Sequence, residues 1–172
     1  MENLQSGFAR ENVQTGATEK FLTFKLADEE YGLEVMRVVE IIGMIPVTKI
    51  PNVASYFKGV INLRGRIIPT IDLRIKFGME EQEYNEKTCI IVTEIAGEKS
   101  KVTAGIIVDE VADVLDIPME AIEDAPELGD KMWSKFLRGV GLVRGEVKML
   151  LDISNVLSMT DIRVADELAR TS

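Results

Sequence analysis

FKGVINLRGRIIPTIDLRIKF, residues 57–77, is the stretch from which the rest of the chain can be read. Its two apolar arms, Gly59 to Leu63 and Ile67 to Ile71, are rich in β-branched residues, and Gly65 supplies the permissive φ of a tight turn between them. The reading is strand, Arg-Gly turn, strand, then a short helix opened by Asp72, whose side chain can accept from free N–H groups of the first turn. The pattern returns without a gap: Phe136 to Leu157 matches Tyr56 to Phe77, 80 residues on. Gly59 falls on Gly139, Arg64 on Arg144, Gly65 on Gly145 and Asp72 on Asp152. A second echo sets Gly105, Val108, Val111, Asp113 and Val114 73 positions beyond Gly32, Val35, Val38, Glu40 and Ile41. Two echoes together point to duplication, with about five short strands in each unit, and short strands with Gly-rich turns suggest small barrels.

Outward from that core, residues 1–18 are polar without an apolar period and are expected to form a flexible tail. FLTFKL places Leu22, Phe24 and Leu26 on one face and turns through Asp28 to Glu30 into YGLEV, a hairpin. Asn52 is expected to cap one helical turn before Phe57. Gly78 to Lys87, acidic and turn-rich, is the expected seam between a first unit at about 19–87 and a second at about 88–160, with exchange of strands left open. TCIIVTEIA and VTAGIIVDEV form another hairpin, Glu120 to Lys135 reads as a loop carrying Trp133, and 161–172 reads as a tail or short helix.

Composition narrows the chemistry. The 172 residues are 46% hydrophobic, enough for a sizeable core, and carry a net charge of −9. That acidity argues against nucleic acid. No histidine occurs, which removes the usual triads, the commonest zinc ligand and the common proton shuttle. The single cysteine, Cys89, reads as a buried inert thiol. No apolar run spans a bilayer and the amino end lacks a signal-peptide layout, so a cytoplasmic protein without direct membrane insertion is expected. No Gly-rich phosphate loop or calcium-loop spacing is present; Asp109, Glu110, Glu80, Glu81 and Glu83 read as solvated acids, and no cofactor or metal is expected. Asp72 and Asp152 could form a carboxylate pair lining a catalytic or small-molecule cleft, but capping accounts for both.

EEYGLEVMRVVEI, FKGVINLRGRIIPTIDLRIKFG, AGIIVDEVADVL, FLRGVGLV and LLDISNVL, in that order, resemble the CheW family of bacterial chemotaxis adaptors over about Glu19 to Ser158. The resemblance implies a mainly β fold of two SH3-like five-stranded β-barrels related by a pseudo-two-fold, with short connecting helices and a core between them. It implies a non-enzymatic adaptor, monomeric in isolation and recruited to membrane receptor arrays. Its partners would be the regulatory domain of the histidine kinase CheA and the cytoplasmic tip of the methyl-accepting chemotaxis receptors. Carried over by position, Val35, Val38 and Ile41 would meet the kinase. Glu40, Gly59, Asn62, Arg64, Gly105, Val108, Val111 and Val114 would surround a receptor-facing groove, the glycines by permitting backbone approach. Arg144 receives no role.

Overall fold

The computed structural model describes residues 17–97, 100–124 and 135–170. The expected tail, up to residue 16, and Trp133 lie outside them. In chain order, β1 (Thr18–Leu26) and β2 (Glu29–Glu34) form the first hairpin, and a 3-10 turn at Val35–Arg37 leads into β3 (Val38–Gly43). β4 (Phe57–Leu63), β5 (Arg66–Asp72) and the four-residue α1 (Leu73–Lys76) are the hairpin and helix read from the sequence. β6 (Cys89–Ala96) and β7 (Lys101–Val108) pair antiparallel, then come β8 (Glu110–Pro118), β9 (Ile122–Asp124), β10 (Leu137–Val143) and β11 (Glu146–Leu151). Two helices close the chain, α2 (Ile153–Val156) and α3 (Met159–Arg170).

The strands make two sheets that are not consecutive pieces of chain. The order in one is β9-β10-β11-β2-β1-β8 and in the other β3-β6-β7-β5-β4. Gly78 to Lys87 therefore joins two strands of the same sheet. The first hairpin completes a sheet made otherwise from residues beyond Glu110. Both repeats meet in the ladders: β5 runs parallel to β7 with Thr70 opposite Gly105, and β11 runs parallel to β2 with Leu150 opposite Gly32. Residues related by the 80-residue offset thus face glycines related by the 73-residue offset. A Cβ on Gly105 would come within 2.8 Å of Ile90, and one on Gly32 within 2.8 Å of Leu150, so each ladder packs against a residue with no side chain.

Alternation along the strands divides the apolar residues among three clusters. Ile61, Ile68, Ile90, Val92 and Ile107 fill one face of the five-stranded sheet, and Phe21, Ile117 and Leu150 one face of the other. Between the sheets lies a larger shared cluster with Leu22, Phe24, Leu26, Tyr31, Ile71, Leu73, Ile106, Phe136 and Leu151. β1 is buried on both faces, with Phe21 turned one way and Leu22 and Phe24 the other.

The chain crosses between sheets at Asp109, which is not the solvated acid expected of it. Arg74 Nε and Nη2 donate to its two carboxylate oxygens at 2.7 Å each, and the Ala27 N–H donates to Oδ2 at 2.8 Å. Its own N–H donates to the Lys25 carbonyl at 3.1 Å. One carboxylate holds the crossover, α1 and the β1–β2 turn together. Asn52 is a second correction: it has a φ of 62° in a turn and opens no helix. Asp72 and Asp152 cap as expected, accepting from the N–H groups of Ile75 at 3.3 Å and Ser154 at 2.9 Å.

α3 carries the chain back from the six-stranded sheet to β5 and β7, with Ile162 and Ala165 buried in the shared cluster. It starts with a reciprocal cap: the Asp161 N–H donates to Ser158 Oγ, and the Ser158 N–H to Asp161 Oδ2. The buried Asp161 also accepts from Tyr56 Oη at 2.5 Å and Lys76 Nζ at 2.7 Å. Burial pushes its pKa up, but the bonds from Lys76, Tyr56 and the Ser158 backbone outweigh this and hold it below the ordinary 3.8. Tyr56 is pushed up to about 12 by burial and then by its bond to Asp161.

Because the folded pKa of Asp161 lies below the unfolded value, the unfolded chain takes up the proton first as pH falls. The stabilisation is complete above the unfolded value and is lost as pH drops through the folded one. Asp161→Asn is expected to cost about 2 kcal/mol at neutral pH and to flatten the acid limb of the stability curve below about pH 4, read by urea denaturation across pH. Asp109→Ala, which leaves a buried guanidinium without its fork, is expected to cost about 3 kcal/mol in the same assay.

Candidate protein interaction site

The Arg64-Gly65 turn has φ values of 51° and 87°, both positive, the conformation that matches the twist of a two-residue hairpin. Glycine adopts it freely, whereas an arginine there costs about 1 kcal/mol. The turn is held by Asn62, whose Oδ1 accepts from the Gly65 N–H at 2.8 Å. From it the Arg64 side chain, 70% exposed, reaches Glu40 on β3 and makes an ion pair. β3 and β4 are the two ends of the five-stranded sheet, so this pair joins its opposite edges.

Beside the ion pair lies an apolar strip. Ile41 and Val39 on β3 are exposed, and Met36 in the preceding 3-10 turn is 80% exposed. Val35 and Val38 instead pack against the shared core while remaining half-buried. Val35, Val38 and Ile41, grouped by the family resemblance, are separated by the 3-10 turn and by a bulge between Val38 and Glu40. Met36 and Val39 are the members that sequence reasoning missed. Only the position of the bulge could have revealed them, and no residue announces it.

The other expected groove residues separate. Asn62, Arg64 and Val114 are exposed and Glu40 is half-exposed, whereas Val111 is half-buried against the shared core. Val108 is 1% exposed and Gly105 lies buried in β7, so neither offers a partner any surface. Gly59 is buried at a bulge with a φ of 143°. Thr48 bridges across it, exchanging N–H and carbonyl bonds with Val60 at 2.8 and 2.9 Å. A Cβ on Gly59 would sit 2.0 Å from the Thr48 oxygen, so this glycine admits a backbone and not a ligand.

The carboxylates of the catalytic alternative do not meet in a common cleft. A cavity of about 570 Å³ between the β1–β2 turn, α1 and the 79–88 segment is lined by Asp72, Arg74, Tyr84 and Asp109, but not by Asp152. Asp72 Oδ2 accepts from Tyr84 Oη at 2.8 Å, and burial, followed by this bond, raises the tyrosine pKa. Among the described residues, no helix is long and apolar enough to cross a membrane.

Among the described residues, the open features of this mainly β module are an apolar sheet edge and charged hairpin tips. The chain belongs to the CheW-like family, whose domain model matches residues 20–161. It is 38% identical over 168 residues to the chemotaxis protein CheW of Klebsiella aerogenes, covering 96% of this chain and 99% of that one. The chemotaxis protein CheW of Bacillus subtilis is 37% identical over 115 residues, covering 67% and 70% of the two chains. Among solved structures, the scaffolding protein TtCheW of Thermoanaerobacter tengcongensis superposes with a TM-score of 0.75 at 32% identity, over 84% of this chain and 96% of that one.

Gly59→Ala is expected to destabilise the protein by about 2 to 4 kcal/mol, since a methyl group must displace the Thr48 backbone and the φ is unfavourable. Urea denaturation checks it, and a loss under about 1 kcal/mol would mean that the Thr48 bridge yields easily.

Proposed function

We propose that this chain is a chemotaxis scaffold that couples chemoreceptors to the histidine kinase CheA without chemistry of its own. The observation that carries the reading is the strip of Met36, Val39 and Ile41 beside the Glu40–Arg64 ion pair, on an edge strand. Exposed apolar side chains next to an oriented charge give a protein contact area and register together. In this reading the β3 side, with Ile41 in front and Val35 and Val38 shaping it from below, meets the CheA regulatory domain. Arg64, Glu40 and Asn62, with Val114 on the second sheet, face the receptor tip. Gly59, Gly105, Val108 and Val111 serve that groove through shape. The matching strand orders and private apolar clusters support the finer description of each sheet as an SH3-like barrel and of the pair as related by a rough two-fold. The working place would be the cytoplasmic face of receptor arrays.

The test is co-sedimentation with membranes bearing receptor and CheA, with kinase activity followed in the presence and absence of the chain. Receptor-controlled phosphorylation that requires the chain supports the reading; no binding to either partner ends it. Arg64→Glu should fold normally and weaken receptor binding by about 1 to 3 kcal/mol in an equilibrium titration. Ile41→Asp, at an exposed position, should weaken kinase binding at unchanged melting temperature. Val38→Asp is the poorer probe, because it puts a charge against the shared core.

A further inference from the structure

The second hairpin, β10–β11, repeats the first with two differences, in the pairing of its arginine and in the residue that precedes its turn. Arg144 occupies the turn with a φ of 53°, again a non-glycine residue in the left-handed region. Arg64 has Glu40, but Arg144 makes no ion pair with any described residue. Its would-be partner Asp113, which lines the same cleft of about 300 Å³, accepts from the Val114 N–H through Oδ1 at 2.8 Å. The neighbouring Lys148 is already held by Glu30 at 3.0 Å and Glu146 at 2.9 Å. In place of the turn-holding Asn62 stands Leu142, 60% exposed, directly opposite Val147, 58% exposed. The hairpin gives up a stabilising amide for an apolar pair in water and keeps a strained cation at its tip that is unpaired among the described residues.

We propose that this hairpin is a second docking surface, taking an amphipathic helix of a partner protein that carries a carboxylate within one turn of two apolar residues. The carboxylate fits Arg144, the one of the two tip arginines that makes no ion pair among the described residues. The apolar groups fit Leu142 and Val147. Cross-strand neighbours stand about 5 Å apart, close to the rise of about 5.4 Å per helical turn, so one face of a helix spans both and reaches the tip. The inference rests on the proposed coupling role and adds a helical segment of the receptor to it, bound at a place of its own.

Titrating fluorescently labelled receptor tip with wild type, Arg144→Glu, Arg144→Lys, Leu142→Ser and Arg64→Glu separates the outcomes. The proposal expects Arg144→Glu to weaken binding about tenfold, Leu142→Ser several-fold, and Arg144→Lys to retain most of it, all at unchanged melting temperature. If Arg64→Glu weakens binding while Arg144→Glu and Leu142→Ser match wild type, the second surface is wrong and the coupling role stands. If wild type does not bind the tip, both fall. Sedimentation of the chain alone that shows self-association abolished by Arg144→Glu, with tip binding unaltered, would assign the hairpin to a second copy and overturn the helical partner.

Discussion

The carboxylate of Asp109 is the point on which the two sheets depend. It lies between β7, the last strand of the five-stranded sheet, and β8 of the six-stranded one, and its two oxygens hold both α1 and the β1–β2 turn. The forked pair with Arg74 fixes direction as well as distance. Without that anchor, the shared cluster would still attract the sheets, but apolar burial has no preferred angle. The clasp of Asp161 with Tyr56 and Lys76 does similar work on the other side, tying the terminal helix to the five-stranded sheet. In the proposed coupling role, two docking surfaces hold a fixed separation only if the sheets that carry them do, and these two carboxylates would serve that role as much as the exposed residues.

Local chemistry was readable in the sequence wherever a residue's own backbone requirement determined the outcome. The Arg-Gly turns, the caps at Asp72 and Asp152, and the duplicated hairpins all followed from neighbours within a few positions. The exchange of the first hairpin into the distal sheet did not, because β-branched strands of similar composition carry no label for their partners. Asp109 was misread for a related reason: an acid flanked by another acid looks solvated until the fold brings Arg74 to it. At the candidate site, the family pattern named Arg64, Glu40 and Ile41, which the fold leaves exposed or half-exposed. Met36 and Val39 were hidden by a bulge, and Val108 and Gly105 had their direction wrong because β7 is buried on both faces.

The exposed surface follows one design used twice with different endings. Each hairpin tip carries an arginine where glycine or asparagine would be easier, and each stands near an acid on an edge strand. In the first sheet the two charges meet, leaving apolar neighbours to supply contact area around an oriented pair. In the second they do not, and the apolar neighbours have moved onto the hairpin itself. A duplicated framework can thus present two unlike faces while its interior, with paired glycines at Gly32 and Gly105, stays nearly the same.

The parallel ladder that sets Leu33 against Leu151 also has a consequence for how the molecule is made. Once β1 and β2 have left a ribosome, β1 waits roughly 85 residues for β8 and β2 roughly 115 for β11, which at typical synthesis speeds takes on the order of ten seconds. During that wait β1, apolar on both faces, has only β2 beside it. Contacts of such long sequence separation slow the search for the native state even once the chain is complete. The nascent protein therefore passes through a period in which its most aggregation-prone strand is uncovered, and its yield in a cell should depend on chaperone supply more than its final stability would suggest.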